Sequence, residues 1–134
     1  MGSFPNQMES KVLAHVFMNT AFTQPGNIYI ALCQSTVEED DTGSTLPSEA
    51  SGGSYARQTC NTWDTSGTQG QADNNIQVTF PEATAAWGTI TDFAIVNHLT
   101  TGTLLAYGKL TTSKAIGTGD TAKFATDDLT VTLA

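Results

Sequence analysis

The chain has 134 residues, 39% of them hydrophobic and only 13% charged, which predicts one folded domain over residues 1–134. The net charge of −8 and the scattering of the five cations exclude the basic stripe of a nucleic-acid-binding protein and make an anionic membrane an unsuitable partner. No run approaches the roughly 20 apolar residues of a membrane span, and residues 1–11 lack the pattern of a secretory signal.

One helix is predicted, at about residues 7–22. Its apolar residues fall at helical spacing and form one stripe: Met8, Val12, Leu13, Val16 and Phe17. Asn6 is a candidate N-cap, with Glu9 three positions later as its capping-box partner. Since an amphipathic helix packs its apolar stripe against another element, we expect Val16 and Phe17 to be buried on the protein's own sheet.

The rest of the chain, from 27 to 134, is predicted to be β-structure. Residues 27–33 are apolar on both faces, which indicates a central strand. Further strands are predicted at 54–63, 76–80, 87–96, 103–110, 113–116, 121–125 and 129–133. Short strands at regular spacing, with one helix, favour a mainly β fold: a single β-sandwich or jelly-roll-like domain with one N-terminal α-helix.

The strongest strands supply the expected core. Trp87, Phe93, Ile95 and Ile76 lie on apolar faces and are predicted to pack together. Cys33 and Cys60 both fall in β-like runs, where free buried thiols are favoured over a disulfide, although a bridge is the open alternative.

Two long polar segments, 34–53 and 64–75, are predicted to be exposed loops. The first carries four consecutive acidic residues: Glu38, Glu39, Asp40 and Asp41. Clustered carboxylates suit Ca²⁺, but the Asp-x-Asp-x-Asp-Gly spacing is missing, so a solvated charge run is favoured over a calcium site.

No catalytic constellation is visible. His15 lies near the helical stripe, where a packing role is favoured, and His98 lies in a turn after a strand. There is no Cys-x-x-Cys, His-x-x-x-His or Gly-x-Ser-x-Gly motif, so we predict no catalytic residue, no metal and no cofactor. Arg57 is the only arginine; an internal ion pair is favoured for it, and bidentate contact with an acidic partner is the alternative.

Several stretches of the chain resemble a family of small tailed-phage virion proteins, often labelled phage tail fibre or virion structural protein. These stretches are residues 13–22, 51–57, 78–88, 104–113 and 119–133. One departure follows Val96, where such proteins tend to have an Asp- and Gly-rich turn and this chain has Asn97-His98-Leu99. The resemblance implies a non-enzymatic virion protein that is assembled in the cytoplasm of a bacterial host and needs no cofactor.

Three functions are compared on this basis. The favoured hypothesis is a capsid decoration (cement) protein bound to the major capsid protein, because no coiled-coil or repeat shaft is present. The alternative is a tail-associated fibre or adhesin module that binds the host surface or other tail proteins. A glycan hydrolase is third, since no acid/base pair is evident.

The partners expected are other virion proteins and further copies of this chain. The residues predicted as partner contacts are Arg57, Glu38, Glu39, Asp40, Asp41, Asn97 and His98.

Overall fold

The computed structural model of the protein describes residues 2–65, 67 and 69–133. It is mainly β with one N-terminal helix, as predicted. The helix α1 spans Asn6–Phe17. The strands are β1 (Gly2–Ser3), β2 (Tyr29–Cys33), β3 (Gln58–Thr59), β4 (Trp63–Asp64), β5 (Gln71–Asn74), β6 (Val78–Thr79), β7 (Gly88–Val96), β8 (Leu104–Ile116), β9 (Lys123–Phe124) and β10 (Thr130–Thr132).

Eight strands form one sheet, in the order β3-β2-β7-β8-β1-β10-β5-β4, which curls into a half-barrel. Its pairings are antiparallel except that between β1 and β10, which is parallel. The strands β6 and β9 pair separately as a two-stranded sheet. The hairpin of β7 and β8 is the longest pairing, and the predicted strands 103–110 and 113–116 are both part of the single strand β8.

The strand β2 is an interior strand, as predicted, and it is apolar on both faces. Ile30 and Leu32 point into the main hydrophobic core. Ala31 and Cys33 point into a second, smaller core on the opposite face. Because side chains alternate across a strand, a segment buried on both faces needs a covering layer on each side.

The segment 34–53 supplies the cover for the second core. Val37 is buried in the second core and Leu46 is half-buried against it, whereas Ala50 is buried in the main core. Gln34 donates its backbone N–H to the Ser48 carbonyl at 3.0 Å, which draws the two ends of the segment together. The prediction of an exposed loop is therefore wrong for its apolar positions, and it holds for polar residues such as Glu38, Glu39 and Asp40.

The main core confirms three of the four residues predicted for it. Trp87, Phe93 and Ile95 are buried together. Ile76 is 48% exposed, so its prediction is wrong. The alternation of 76–80 suggested that Ile76 belongs to a strand, but pairing with β9 begins only at Val78, and Ile76 precedes it.

The helix is shorter than predicted, and its buried residue lies near its N-terminus and not near its C-terminus. It stops at Phe17 rather than near residue 22, because the chain turns left-handed at Asn19, where φ is 52°. Met8 is the buried residue of the helix, whereas Val16 and Phe17 are 61% and 78% exposed. Helical spacing identified an apolar stripe, but the residues of α1 that contact the main core are Met8 and Val12.

The predicted helix cap is also wrong. The N-cap residue is Pro5, with no side-chain cap hydrogen bond, and the Asn6 amide donates instead to Asp40 Oδ1 at 2.8 Å. His15, expected to pack, is exposed, and its Nδ1 accepts the Phe22 backbone N–H at 3.1 Å. In the part of the chain that the structure describes, no helix is both long and apolar enough to cross a bilayer.

The second predicted loop, 64–75, ends in the strand β5, where Asp73 and Asn74 are buried. Asn74 accepts the Leu129 N–H at 2.8 Å and donates to the Ala125 carbonyl at 2.9 Å, which fixes β5 beside the C-terminal turn. This strand was not predicted because its side chains are polar. They can be buried because their hydrogen bonds are made inside the protein. Ser66 and Thr68 of the predicted loop, and Ala134 of the predicted strand region, lie outside the described residues.

Substitutions at Ile90 and Ile76 test whether Ile90 belongs to the main core and Ile76 does not. Ile90 is 1% exposed and Ile76 is 48% exposed. We expect Ile90→Ala to lower the free energy of unfolding by about 2–5 kcal/mol, because it leaves a cavity. Ile76→Ala, the matched control, should cost less than about 1 kcal/mol. Urea denaturation measures both values, and equal losses would contradict the assignment.

Candidate partner-binding surface

Arg57 is buried under two loops, and every N–H of its guanidinium is used inside the chain. Nε and Nη2 donate to the two carboxylate oxygens of Glu49, both at 2.8 Å. Nη2 also donates to the Gly43 carbonyl at 2.7 Å. Nη1 donates to the carbonyls of His98 and Thr101 at 2.9 and 3.0 Å. This side chain is 4% exposed and its five donors are all satisfied.

The arginine thereby joins two segments that are distant in sequence, residues 34–53 and the β7–β8 connection, residues 97–103. We call these two segments together the loop surface. Gly43 also donates its N–H to the Gly102 carbonyl at 3.0 Å. A Cβ atom at Gly43 would lie 2.5 Å from the Thr101 carbonyl oxygen, so only glycine permits this approach.

The β7–β8 connection is stabilised by its own polar side chains. Asn97 Oδ1 accepts the Thr103 N–H at 2.7 Å, which closes the base of the connection. His98 Nδ1 accepts the backbone N–H groups of Thr100 and Thr101, both at 3.2 Å. The His98 ring and the Leu99 side chain are exposed at the tip. Asn97, His98 and Leu99, at which this chain departs from the family it resembles, therefore determine the conformation of this turn.

The acidic run lies on the same loop surface, five residues or fewer from Gly43 in sequence. Glu38, Glu39 and Asp40 are exposed, and Asp41 is half-buried. Asp41 Oδ2 accepts the Glu38 N–H at 2.8 Å and so holds the run in a turn. Among the described residues, no group of three or more His, Cys, Asp or Glu side chains is placed to hold a metal ion.

The predicted contact residues thus divide into three groups. Asp41 and Asn97 are half-buried, and each accepts a backbone N–H within its own segment. Arg57 has no donor left for a partner, and the internal pair that was favoured for it is present. Exposed side chains of the loop surface are available for contact: Glu38, Glu39, Asp40 and His98. Glu49 and Gly43 were not predicted, since neither belongs to a motif, and a lone arginine does not reveal which of the 13 carboxylates it binds.

Tyr55 links the Arg57–Glu49 ion pair to the main core. Its hydroxyl donates to Glu49 Oε1 at 2.9 Å and accepts the Leu32 N–H at 3.0 Å. Burial, and then the charge of Glu49, raise the pKa of the Tyr55 hydroxyl well above its usual value. The ring packs on Trp87 and Phe80, with centroid distances of 5.3 and 6.1 Å. The loop surface is therefore fixed to the aromatic core.

The two thiols are buried in different cores and are not bonded to each other. Burial, and then the charges of Glu49 and Asp92, raise the pKa of Cys33 to about 12. Burial raises the pKa of Cys60 as well. Neither thiol is suited to act as a nucleophile, because the reactive species is the thiolate.

A family model described as "Podophage GP4 fiber I protein gp80" matches residues 3–132, which is nearly the whole chain. No curated protein matches the chain significantly.

A pair of glycine substitutions tests the close approach within the loop surface. Gly43→Ala should lower the free energy of unfolding by about 1–3 kcal/mol, because the added Cβ overlaps backbone atoms of residues 101 and 102. Gly26→Ala is the control, since a Cβ there meets no atom within 4 Å. It should change stability by less than about 1 kcal/mol. Denaturant titration distinguishes these outcomes, and an unaffected Gly43→Ala variant would show that the two segments separate freely.

The raised pKa of the Cys33 thiol predicts a loss of stability at high pH. The Cys33 pKa is 9.0 in its ordinary state and about 12 in the folded chain. The stabilisation is therefore fully present below pH 9 and is lost as pH rises from 9 towards 12, since only the unfolded chain gains from ionisation. Chemical denaturation at stepped pH should show Cys33→Ala losing less stability over this interval than the wild type. Parallel curves for the two proteins would refute the assignment.

Proposed function

Because the chain belongs to the podophage GP4 fiber I protein family, we propose that it serves as a tail-fibre component that binds its partner through the loop surface. Family membership makes it a structural protein of a tailed-phage virion. The observation that carries the proposal is the family match over residues 3–132, which leaves almost none of the chain outside a fibre protein family.

The geometry of the loop surface supports a binding role. Exposed loops on a rigid β scaffold are where proteins most often place binding residues. Here the exposed carboxylates of Glu38, Glu39 and Asp40 are carried by a segment that Arg57 fixes to the aromatic core. Such preorganisation lowers the entropy lost on binding. The net charge of −8 steers this surface towards a basic patch on a tail protein or on the host cell.

The fibre role is favoured over capsid decoration, which was the first hypothesis from the sequence. A match to a fibre protein family supports tail association, and it offers no corresponding support for binding to the major capsid protein. A structural fibre family is also a poor context for an enzyme. Arg57 is buried and the pKa of the Cys33 thiol is raised, which agrees with structural roles for these two side chains.

Immunogold labelling of intact virions tests the location. Antibody raised against the purified protein should place gold on the tail or its fibres. Antibody against the major capsid protein serves as the head control. Gold confined to the head would contradict the fibre role and restore the decoration hypothesis.

Charge reversal tests the surface itself. Glu39→Lys should weaken binding of the purified protein to virions that lack it by about 2–10-fold at low salt, because one attractive contact becomes repulsive. Glu82→Lys is the control, since Glu82 is equally an exposed carboxylate but lies outside the loop surface. The difference between the variants should shrink as salt rises. Equal binding by both variants at low salt would show that the partner sits elsewhere.

A further inference from the structure

The helix α1 presents an apolar patch to solvent that the protein's own core does not cover. Leu13, Val16 and Phe17 are spaced i, i+3 and i+4, so they share one side of the helix, and Met18 follows at its end. Their exposed fractions are 55%, 61%, 78% and 70%. We call these four residues the α1 patch. Single exposed apolar residues are ordinary, but three on one side of a short helix with a fourth at its C-cap mark an interaction surface.

We propose that the α1 patch is an interface between copies of this chain. This inference does not depend on where in the virion the protein is located. The core-facing side of the helix is already occupied, with Met8 buried and Val12 packed against the main core. The patch lies beside that side and faces outwards, so a second molecule can reach it without any change in the fold.

The size of the patch suits a homomeric interface. With the exposed fractions above, the four side chains present roughly 450–500 Å² of surface. A stable interface buries about 800 Å² on each partner, and in homodimers about 65% of that area is apolar. The apolar part required is thus about 500 Å² for each chain, close to what the α1 patch offers.

Charge also points to a second copy. Two molecules of net charge −8 repel each other wherever their carboxylates meet. The chain has 13 acidic residues, yet none occurs anywhere from residue 10 to residue 37, the segment that contains the patch. Lys11 is the one charged side chain in this segment, and its Nζ lies 5.9 Å from the centre of the Phe22 ring. Two copies can therefore meet at this face with little repulsion.

The symmetry of homomeric contacts fits a helix of this kind. In a two-fold interface the same residues meet on both subunits. Two copies of α1, each about 18 Å long, can cross with the exposed side chains of one fitting between those of the other. The occupant that this argument identifies is therefore the same helix on a second copy.

Analytical ultracentrifugation of the full chain tests the proposal. The wild type should sediment as an oligomer of the 14.1 kDa chain at about 0.1 mM and should dissociate on dilution. Leu13→Glu and Phe17→Glu should each shift the distribution to monomer, with an unchanged far-UV circular dichroism spectrum. Because Leu13 and Phe17 are mostly exposed, neither substitution should unfold the monomer.

Leu133 provides a matched control. It is 55% exposed, the same fraction as Leu13, but it lies just after β10. Leu133→Glu should leave the oligomer intact. The proposal is overturned if the wild type is a monomer at about 0.1 mM, which would leave the patch to a different virion protein. It is also overturned if the Leu13→Glu oligomer persists, or if Leu13→Glu and Leu133→Glu dissociate it equally.

Discussion

A buried guanidinium constrains much of this protein. Arg57 carries a full charge at a site that is 4% exposed, and a charge in such a place is tolerated only when its partners satisfy it completely. Glu49 supplies the countercharge and three backbone carbonyls supply the remaining acceptors. Removing any one of these would leave a buried donor unpaired, so the segments that carry them are held in one arrangement.

The second core depends on the same arrangement. The strand β2 is apolar on both faces, and its second face is covered by Val37 and Leu46 from the segment 34–53. That segment has almost no regular secondary structure of its own, and a backbone without ladder hydrogen bonds needs other partners if it is to stay folded. Arg57 provides such a partner at Gly43. An ion pair thus positions an apolar cover, and the acidic run is exposed on its outer side.

The sequence predicted the regular part of the fold well, because its signals are local. The apolar runs at 27–33 and 87–96 correspond to β2 and β7, and the helix is present although its end was misplaced. The failures have a different cause. Val16 and Phe17 have the spacing of a core-facing stripe, and spacing does not reveal whether a stripe faces its own sheet or another molecule. Glu49 and Gly43 could not be found either, because what distinguishes them is a contact with residues distant in sequence.

The strand β1 brings residues 2–3 and residues 130–132 into the same part of the sheet. Gly2 pairs with Gly108 of β8 on one side and with Val131 of β10 on the other. Contacts between residues so far apart in sequence form late, because the loop between them must close first. During synthesis from the N-terminus, Gly2 and Ser3 are made well before their partners Gly108 and Val131 and must therefore wait, unpaired, for them. The half-barrel therefore cannot be completed until residues 130–132 have emerged from the ribosome.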